Sequence, residues 1–559
     1  MDRKLLLGLA LIFAIFTIPT LLMKKQAPIR SAALADSLRT DSINAATHDS
    51  TPPAAVPAAA SVIDTATVTG PDHLVVIRSK LYRFAVSTHG GRIVSTHLLT
   101  YLSLAETPHD TLELVAQGDA LLGGTLVAGN DTIRLDQVQF TASADSLSAV
   151  NGPATLTLHG VSGSHAIDLN YTFAPTQYRV DVSGQVTGLG PTGATFFVNL
   201  GHGFRNTESN GADNNAQSAV VTKFEKSQLT AFGKLKPHET RTMPGPFEWV
   251  AVKSKYFVAS LFAYDSTAQG VTGKVTALQA TMVDTTKGAL RVQVVASLAV
   301  PTAGTFGWSM YVGPMEYNRL HSMGRDFDDV NPYGWSWLRW LIRPIAVWIR
   351  AIFVWMHETL GLGYGLVIVL FGLTVRILLW PLNRVAMRSM ARMQAVQPEI
   401  TALQDRFKDN PQQLQQETFK LYKEHNVNPF GGCWPMLLPY PLLVAVFFVL
   451  AYTIEVRGVH FLWMTDLARP DSLYIIPLLM AGSMYVVSRI GQMGLPPNPQ
   501  TKMMTWMMPI MMLFLFARFA AGLNLYYTIQ NLTSIPQQWL VMQERLKAKG
   551  KPVVGVRKK

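Results

Sequence analysis

The sequence predicts an α-helical polytopic membrane protein with six transmembrane helices, combined with an all-β sandwich domain exported to the periplasm. Two observations lead to this fold class. Long apolar runs occur at the start of the chain and in its last third, and such runs are long enough to cross a bilayer core of about 30 Å. Between them, over residues 71–320, short alternating or apolar runs recur between turn signals, which is typical of antiparallel strands.

The composition of the 559-residue chain agrees with this prediction. Hydrophobic residues make up 48% of it and charged residues only 15%, whereas soluble domains carry about 25% charged residues. The net charge is +12, and the excess of Lys and Arg lies beside the apolar runs, which favours anionic membrane lipids over specific DNA as a partner. Cys433 is the sole cysteine, which excludes an intrachain disulfide and a cysteine-based metal cluster.

Residues 1–25 are predicted to form an N-terminal membrane anchor. The uncharged apolar run Leu5–Met23 is longer than the 7–15 residues usual in a cleaved signal peptide. Cleavage is the alternative, because small residues such as Ala33 and Ala35 resemble a cleavage site. Residues 26–70 are rich in Ala, Ser, Thr, Asp and Pro and are predicted to be a disordered linker, since they cannot bury enough apolar surface to offset their ordering entropy.

Residues 71–320 are predicted to form the β-sandwich domain. The clearest strand-like runs are His73–Ile77, Tyr82–Ser87, Ala154–Leu158, Tyr178–Val182, Phe196–Leu200 and Leu290–Val294. Turn signals such as Gly90-Gly91 separate them. No cluster of His and carboxylate residues with metal-ligand spacing stands out, so the composition favours a scaffold or docking module over an enzyme.

Residues 333–360 are predicted to form an amphipathic helix lying in the membrane interface. Arg339, Arg343 and Arg350 are four and seven residues apart, which places them on one helix face. Tryptophans recur in the same segment, and tryptophan is enriched at membrane–water boundaries. A buried amphipathic helix of the β domain is the alternative.

Residues 363–545 are predicted to contain five transmembrane helices. The predicted spans are Gly363–Leu382, Trp434–Ile454, Leu473–Ile490, Met503–Phe519 and Gly522–Val541. Lys and Arg are concentrated in the loop at 383–433 and in the basic tail at 546–559, so the positive-inside rule places both in the cytoplasm. With six spans, both termini are cytoplasmic and the β domain is periplasmic.

Residues 383–430 are predicted to form a cytoplasmic helical hairpin. One helix covers 384–408, a turn follows at Asp409-Asn410-Pro411, and Gln412–His425 is the return helix. Its methionines offer an adaptable surface for varied apolar partners. An ordinary helix pair packed on itself fits the same pattern.

Two features inside the predicted bundle carry chemistry. Arg376 interrupts the first span of the core. Inserting a charged side chain into a membrane span costs about 2.5–3.5 kcal/mol. The Arg376 side chain therefore either extends to the cytoplasmic end of the span, about 9 Å away, or faces a water-filled cavity. The last span carries too many amides and hydroxyls to face lipid on all sides. These polar residues are Asn524, Tyr526, Tyr527, Thr528, Gln530, Asn531, Thr533, Ser534, Gln537 and Gln538. They either pair across helices or line a hydrated groove together with Arg376.

Common catalytic and nucleotide-binding motifs are absent from the sequence. There is no Walker motif, no GxSxG nucleophile elbow and no HExxH motif. We therefore expect no enzyme, no cofactor and no metal.

An ordered set of short motifs is the most specific feature of the chain. It comprises Thr374-Val375-Arg376, Trp380-Pro381-Leu382, Leu421-Tyr422-Lys423, Gly431-Gly432-Cys433 and Leu525-Tyr526-Tyr527, with weaker motifs at Gly90-Gly91, Trp249-Val250-Ala251 and Val312-Gly313-Pro314. In this combination the sequence resembles the YidC family of membrane protein insertases, of the Gram-negative type with a large periplasmic domain.

The resemblance implies a function. Proteins of this family insert, fold and help to assemble inner-membrane proteins, alone or with the Sec translocon, through a hydrophilic groove open to the cytoplasm and to lipid. Implied partners are nascent membrane proteins, the Sec translocon, membrane lipids and the ribosome, and the implied location is the cell inner membrane. By position, Arg376 matches the groove arginine and Tyr526 a client-contacting tyrosine. The client-contacting residues expected in this chain are Arg376, Tyr526, Asn524, Gln530, Asn531 and Thr374.

A small-solute transporter or channel is the rival interpretation. It requires a continuous pathway and usually an internal repeat, and no repeat is visible in the sequence. A membrane-bound enzyme is a third interpretation, but the sequence offers no nucleophile–base constellation.

Overall fold

The computed structural model describes residues 70–549 except 106–109, 264–273, 285–289, 332, 336, 382, 385–395, 409, 426–439 and 494–498. The predicted anchor at 1–25, almost all of the predicted linker and the end of the basic tail therefore lie outside the described residues. So do the Gly431-Gly432-Cys433 motif and the beginnings of the predicted cytoplasmic hairpin and second core span.

Residues 74–314 form three β-sheets. The described strands are β1 Leu74–Arg78, β2 Tyr82–Ser87, β3 Ile93–Leu102, β4 Thr111–Glu113, β5 Gly123–Ala128, β6 Asp131–Arg134, β7 Phe140–Ala142, β8 Ser146–Ser148, β9 Ala154–Ser162, β10 His165–Phe173, β11 Arg179–Val186, β12 Ala194–Asn199, β13 Ala219–Lys223, β14 Ser227–Ala231, β15 Thr240–Phe247, β16 Trp249–Lys253, β17 Phe257–Ala263, β18 Val275–Asp284, β19 Arg291–Val300 and β20 Thr305–Pro314. Their spatial orders are β4-β3-β2-β1-β8, β14-β13-β16-β17-β20-β11-β10-β9-β7 and β15-β18-β19-β12-β5-β6.

Period-two alternation explains how these strands pack. Along β10, every second side chain from His165 to Phe173 is buried, because successive side chains of a strand point to opposite faces. Phe196 of β12 lies 5.1 Å from Phe306 and 5.2 Å from Trp308 of β20, measured between ring centroids. Two sheets thus face each other across an aromatic core, which confirms the predicted sandwich. Each of the six strand-like runs overlaps a strand.

A short connection leads from the sandwich to the helical region. Two small helices accompany the sheets, α1 Gly211–Gln217 and α2 Tyr317–Ser322. A 3₁₀ turn at Phe327–Val330 follows, and Phe327 packs edge-on against Trp249 and Phe262 at 5.1 and 4.7 Å between centroids. This aromatic contact anchors the connection on the nine-stranded sheet.

The C-terminal region is helical. Its described helices are α3 Arg339–Leu360, α4 Tyr364–Leu378, α5 Gln397–Arg406, α6 Pro411–Glu424, α7 Tyr440–Tyr452, α8 Ile475–Gln492, α9 Pro499–Phe516 and α10 Ala521–Lys549. Helix α10 packs against α4, α7 and α8. It continues beyond the predicted end at Val541, because the Gln, Glu, Leu, Lys and Ala residues that follow favour helix even where the apolar run has ended.

Helix lengths differ from those predicted. Among the described residues, Arg339–Leu360 and Ile475–Gln492 are long and apolar enough to cross a membrane, whereas Tyr364–Leu378, Tyr440–Tyr452 and Met503–Phe516 are shorter apolar helices. A helix lies at each of the five predicted core spans, but length and composition alone do not establish six spans.

Helix α3 has two chemically different faces. Trp340, Trp348 and Trp355 are more than half exposed. On the other side, Arg343 Nη2 donates to Asp328 at 2.6 Å, and Arg350 Nε donates to Glu455 Oε1 at 2.7 Å. The arginine face is therefore bound to acidic groups of the protein, and the tryptophan face is left open.

The hairpin helices α5 and α6 pack on each other through a small apolar cluster. Its members are Val396, Ile400, Leu421 and Tyr422. Asn410 caps the start of α6, where its side chain accepts a hydrogen bond from the backbone N–H of Gln413 at 3.2 Å. An Asn before the first helical residue satisfies an otherwise unpaired N–H, which explains where the return helix begins.

Candidate functional site

Arg376 lies in the last turn of α4 and reaches α10. Its Nη2 donates to Oε1 of Gln537 at 2.6 Å. Gln537 is 1% exposed, and its Nε2 donates to the carbonyl of Trp380 at 3.1 Å. A buried neutral amide therefore holds the guanidinium. Within the described ranges, Arg376 forms no ion pair with an acidic side chain.

Two polar side-chain atoms of α4 and α10 have no hydrogen-bond partner within the described part of the chain. They are Nε of Arg376 and Oδ1 of Asn524, and both are buried. Buried polar atoms in folded proteins are nearly always bonded to protein or to ordered water. The Arg376 Nε thus has donor capacity for water or for a polar group of a bound partner.

The amides of Gln530 and Asn531 bind neighbouring helices. Gln530 Nε2 donates to the carbonyl of Gly372 in α4 at 2.9 Å. Asn531 Nδ2 donates to the carbonyl of Met480 at 3.3 Å and to Ser483 Oγ at 3.2 Å, both in α8. In this conformation both amides pair across helices, which is the arrangement the sequence offered as the alternative to a groove.

Asn524 and Tyr526 are buried. Asn524 Nδ2 lies within 3.0–3.3 Å of the carbonyls of Phe516, Phe519 and Ala520, so it ties the end of α9 to the start of α10. Tyr526 is 1% exposed, with its ring centroid 6.2 Å from that of Phe371.

Thr374 lies on the exposed side of α4. Its Oγ1 donates to the carbonyl of Leu370 at 2.8 Å, a bond within its own helix. The hydroxyl therefore does not join the contact between α4 and α10.

Three contacts follow one another along the seam between α4 and α10. They join Tyr526 to Phe371, Gln530 to Gly372, and Gln537 to Arg376. Gly372 permits this close approach, because a Cβ there would lie 3.3 Å from Cγ2 of Ile529. Of the six predicted residues, the structure brings Arg376, Tyr526 and Gln530 to this seam, whereas Asn524, Asn531 and Thr374 point elsewhere.

Gln537 contacts Arg376 but is absent from the predicted set. A signal for it exists in the sequence: it follows Gln530 by seven residues, or two helical turns, and so lies on the same face of α10. Gly372 carried no comparable signal, because its role depends on the helix packed against it.

A cavity of about 200 Å³ lies next to Gln537 at the predicted cytoplasmic end of α10. Its lining consists of Trp380, Arg384, Gln537, Leu540, Val541, Gln543, Glu544 and Lys547. Arg384 Nη2 donates to Glu544 Oε1 at 2.5 Å across it. Gln537 therefore separates Arg376 from a polar, mixed-charge cavity.

A further buried arginine joins the helical region to the β domain. Arg457 Nε donates to Glu208 Oε1 at 2.9 Å, and its Nη2 donates to the carbonyls of Leu102 and Thr207 at 3.0 and 3.2 Å. Burial raises the pKa of the Glu208 carboxyl, although the charge of Arg457 opposes that shift. Arg350 of α3 binds Glu455, which follows α7, so that ion pair lies within the helical region. We call the Arg457–Glu208 ion pair the junction.

Comparison with known proteins places the chain in a family. The family model described as the YidC periplasmic domain matches residues 74–348, and the one described as 60Kd inner membrane protein matches residues 355–549. The YidC membrane protein insertase of Chlorobium luteolum is 32% identical over 571 residues, covering 97% of this chain and 95% of that protein. That of Chlorobaculum tepidum is 31% identical, covering 96% and 94%.

A crystal structure of an active YidC insertase with its first transmembrane domain resolved covers 84% of this chain and 95% of that one, at 16% identity and a TM-score of 0.34. The two family models and the curated relatives agree with the resemblance that the sequence motifs carry. The chain belongs to the YidC family of membrane protein insertases, which are inner-membrane proteins with a periplasmic domain and not enzymes.

Proposed function

We propose that this chain inserts, folds and helps to assemble inner-membrane proteins, alone or with the Sec translocon, through a hydrophilic groove along the seam between α4 and α10. The observation that carries the proposal is the contact of Arg376 with the neutral amide of Gln537. Because no described carboxylate cancels its charge, the guanidinium remains able to attract an acidic group of a client. Family membership supports the same function.

The first step of the proposed mechanism takes place in the cytoplasm. The hairpin α5–α6 and the basic tail receive a nascent membrane protein. Exposed basic residues such as Lys420 suit both a ribosome and an anionic membrane surface.

In the second step, the polar flank of the client enters the seam. Tyr526 and Gln530 contact α4 when the seam is closed, so client contact with Tyr526 requires α4 and α10 to separate. The amides then exchange their bonds to Gly372 and Trp380 for bonds to the client or to water. Such an exchange costs little, because a net hydrogen bond contributes about 0.5–1.5 kcal/mol.

In the third step, the apolar segment of the client moves into lipid. Burial of apolar surface contributes about 25 cal/mol per Å², so a single hydrophobic span supplies the driving force without a nucleotide. The groove only has to lower the cost of bringing the polar flank partway into the membrane.

The proposed topology has six spans. Residues 1–25 provide the first, and α4, α7, α8, α9 and α10 provide the other five. Both termini then lie in the cytoplasm with the β domain in the periplasm, and the open tryptophan face of α3 contacts lipid headgroups.

Substitution of Arg376 tests the proposal. In liposomes containing the full-length protein, we expect Arg376→Ala to lower insertion of a single-span client with an acidic flank about tenfold, and Arg376→Lys to retain most activity because it keeps the charge. Arg489→Ala, at an exposed arginine in the last turn of α8, is the matched control and should have no effect.

Full insertion activity of Arg376→Ala with every client would remove the charge from the mechanism. Ion flux through the purified protein in the same liposomes would instead favour the transporter or channel.

A further inference from the structure

We propose that Arg384 is a receiving site for acidic residues in the flank of a client, and that Glu544 occupies this site between clients as a built-in competitor. The proposal deepens the insertase function stated above and rests on it. The site is the 200 Å³ cavity beside Gln537, and its ligand is a carboxylate carried on a peptide.

The structure shows which chemical group Arg384 binds, namely the carboxylate of Glu544. Arg384 Nη2 donates to Glu544 Oε1 at 2.5 Å, and the two residues are 160 positions apart in the chain. A guanidinium matches a carboxylate in both charge and geometry. A client carboxylate can therefore take the position of Glu544 with one ion pair broken and one ion pair formed.

The exposure of the pair makes such an exchange inexpensive. The side chains of Arg384 and Glu544 are 47% and 39% exposed, and exposed ion pairs contribute only about 0–1 kcal/mol. In contrast, the Arg457–Glu208 pair is 4% and 10% exposed, and breaking a buried pair by removing one partner costs about 3–5 kcal/mol. Arg384 is thus held by an exchangeable contact, whereas Arg457 is held by a fixed one.

The position of the cavity connects it to Arg376. Gln537 lines the cavity and also accepts the hydrogen bond from Arg376. A carboxylate bound by Arg384 would lie beside the amide that holds the intramembrane guanidinium. Arg384 would therefore receive an acidic flank before Arg376 does, with Lys547 adding positive charge at the same cavity.

A peptide carboxylate fits this site better than an anionic lipid. The cavity lining carries two cations, one carboxylate and the amides of Gln537 and Gln543, which can hydrogen-bond a polypeptide as well as a side chain. A lipid phosphate would gain the same charge attraction from the two cations, but it brings no peptide backbone for the amides of Gln537 and Gln543 to bind.

The test uses full-length protein in phosphatidylcholine liposomes and two single-span clients that differ by Asp→Asn substitutions in the flank. The quantity measured is the ratio of the insertion rates of the acidic and neutral clients. We expect Glu544→Gln to raise this ratio about twofold to fivefold and Arg384→Gln to lower it by a similar factor, as for an exposed ion pair. Arg384→Lys should keep the ratio, and Arg134→Gln, an exposed cation paired with Asp136 in the β domain, should leave it unchanged.

Equal effects of Glu544→Gln and Arg384→Gln on both clients would overturn the inference, because the pair would then be merely structural. An effect that requires phosphatidylglycerol in the liposomes, independent of the client flank, would assign the site to lipid and also overturn it. Neither result touches the proposed function, which fails separately if wild-type protein inserts neither client or if Arg376→Ala is fully active.

Discussion

Two guanidiniums at opposite ends of the helical region have different partners. Arg457 is 4% exposed and binds the carboxylate of Glu208 together with two backbone carbonyls. Arg376 is partly buried and binds the neutral amide of Gln537. Arg457 therefore has a neutralised charge that fixes the loop after α7 to the β domain, whereas Arg376 keeps a charge that can act on something else.

Lys253 in the β domain extends this comparison. Its side chain is buried, and Nζ donates to the carbonyl of Gln217 at 3.3 Å. Within the described residues it forms no ion pair. Burial lowers the pKa of the Lys253 ammonium from 10.5 to about 8. A buried cation with a neutral partner is thus costly to the folded state.

The largest expected effect concerns the junction. We expect Arg457→Leu to lower the free energy of unfolding by about 3–5 kcal/mol, because it leaves Glu208 buried without its counter-charge. Arg134→Leu, which removes the exposed pair with Asp136, should cost less than about 1 kcal/mol. Denaturant unfolding of both variants in detergent, followed by circular dichroism, checks the difference. Similar losses of unfolding free energy in the two variants would show that the junction ion pair stabilises the protein no more than an exposed pair does.

The next effect concerns Lys253. We expect Lys253→Met to stabilise the protein at pH 7 by up to about 3 kcal/mol, since the folded state no longer holds a charge it disfavours. For the wild type, the folded state loses its proton near pH 8 and the unfolded state only near 10.5, so stability should rise with pH between these values.

This rise should be missing in Lys253→Met, and the difference between the two unfolding profiles isolates the contribution of Lys253. Lys274→Met, at an exposed lysine, serves as the control and should retain the rise. Identical profiles of stability against pH for wild type and Lys253→Met would mean that burial of the ammonium does not destabilise the folded state.

The third prediction gives Arg376 an acidic partner, like the carboxylate that binds Arg457 in the junction. Gln537→Glu places a carboxylate where the neutral amide now accepts from Arg376. We expect insertion of acidic clients to fall about tenfold, equivalent to about 1.4 kcal/mol, because the charge is then neutralised within the protein. Gln538→Glu at the next position is the control and should retain activity. An active Gln537→Glu variant would contradict the role of an uncancelled charge.

The smallest effect concerns the amide pairing along the seam. Gln530→Leu removes the hydrogen bond to the Gly372 carbonyl and should lower stability by about 0.5–1.5 kcal/mol. Gln543→Leu, at an exposed position of the same helix, should have a smaller effect. Thermal unfolding in detergent distinguishes them, and a fully stable Gln530→Leu variant would mean that this bond does not hold the seam.

The sequence predicted local features well because they depend on periodicity. The alternation in β10 and the apolar runs of α4, α7 and α8 each reflect the burial of one face or of all faces of an element. Arg376 was recognisable because a charge inside an apolar run is rare. The burial of Tyr526 and the bonds of Asn524 to the end of α9 were not recognisable, because periodicity shows which residues of α10 are polar but not which neighbour each one meets.

Side-chain contacts between residues far apart in the chain could not be predicted from the sequence either. Arg376 and Gln537 are 161 residues apart, and Arg457 and Glu208 are 249 apart. Neither spacing follows from the pattern of either element alone. Which arginine receives a carboxylate and which an amide is decided by the packing of distant elements.

Water access to the seam is the most direct test of the central claim. In a Cys433→Ser background, Gln530→Cys would be exposed to a membrane-impermeant maleimide from the cytoplasmic side, with Lys547→Cys as the accessible control and Phe514→Cys, an outward-facing position of α9, as the lipid-facing control. The account predicts labelling at positions 530 and 547 and none at 514. Labelling at 547 alone would show a dry seam, and Arg376 would then have no route by which to meet a client.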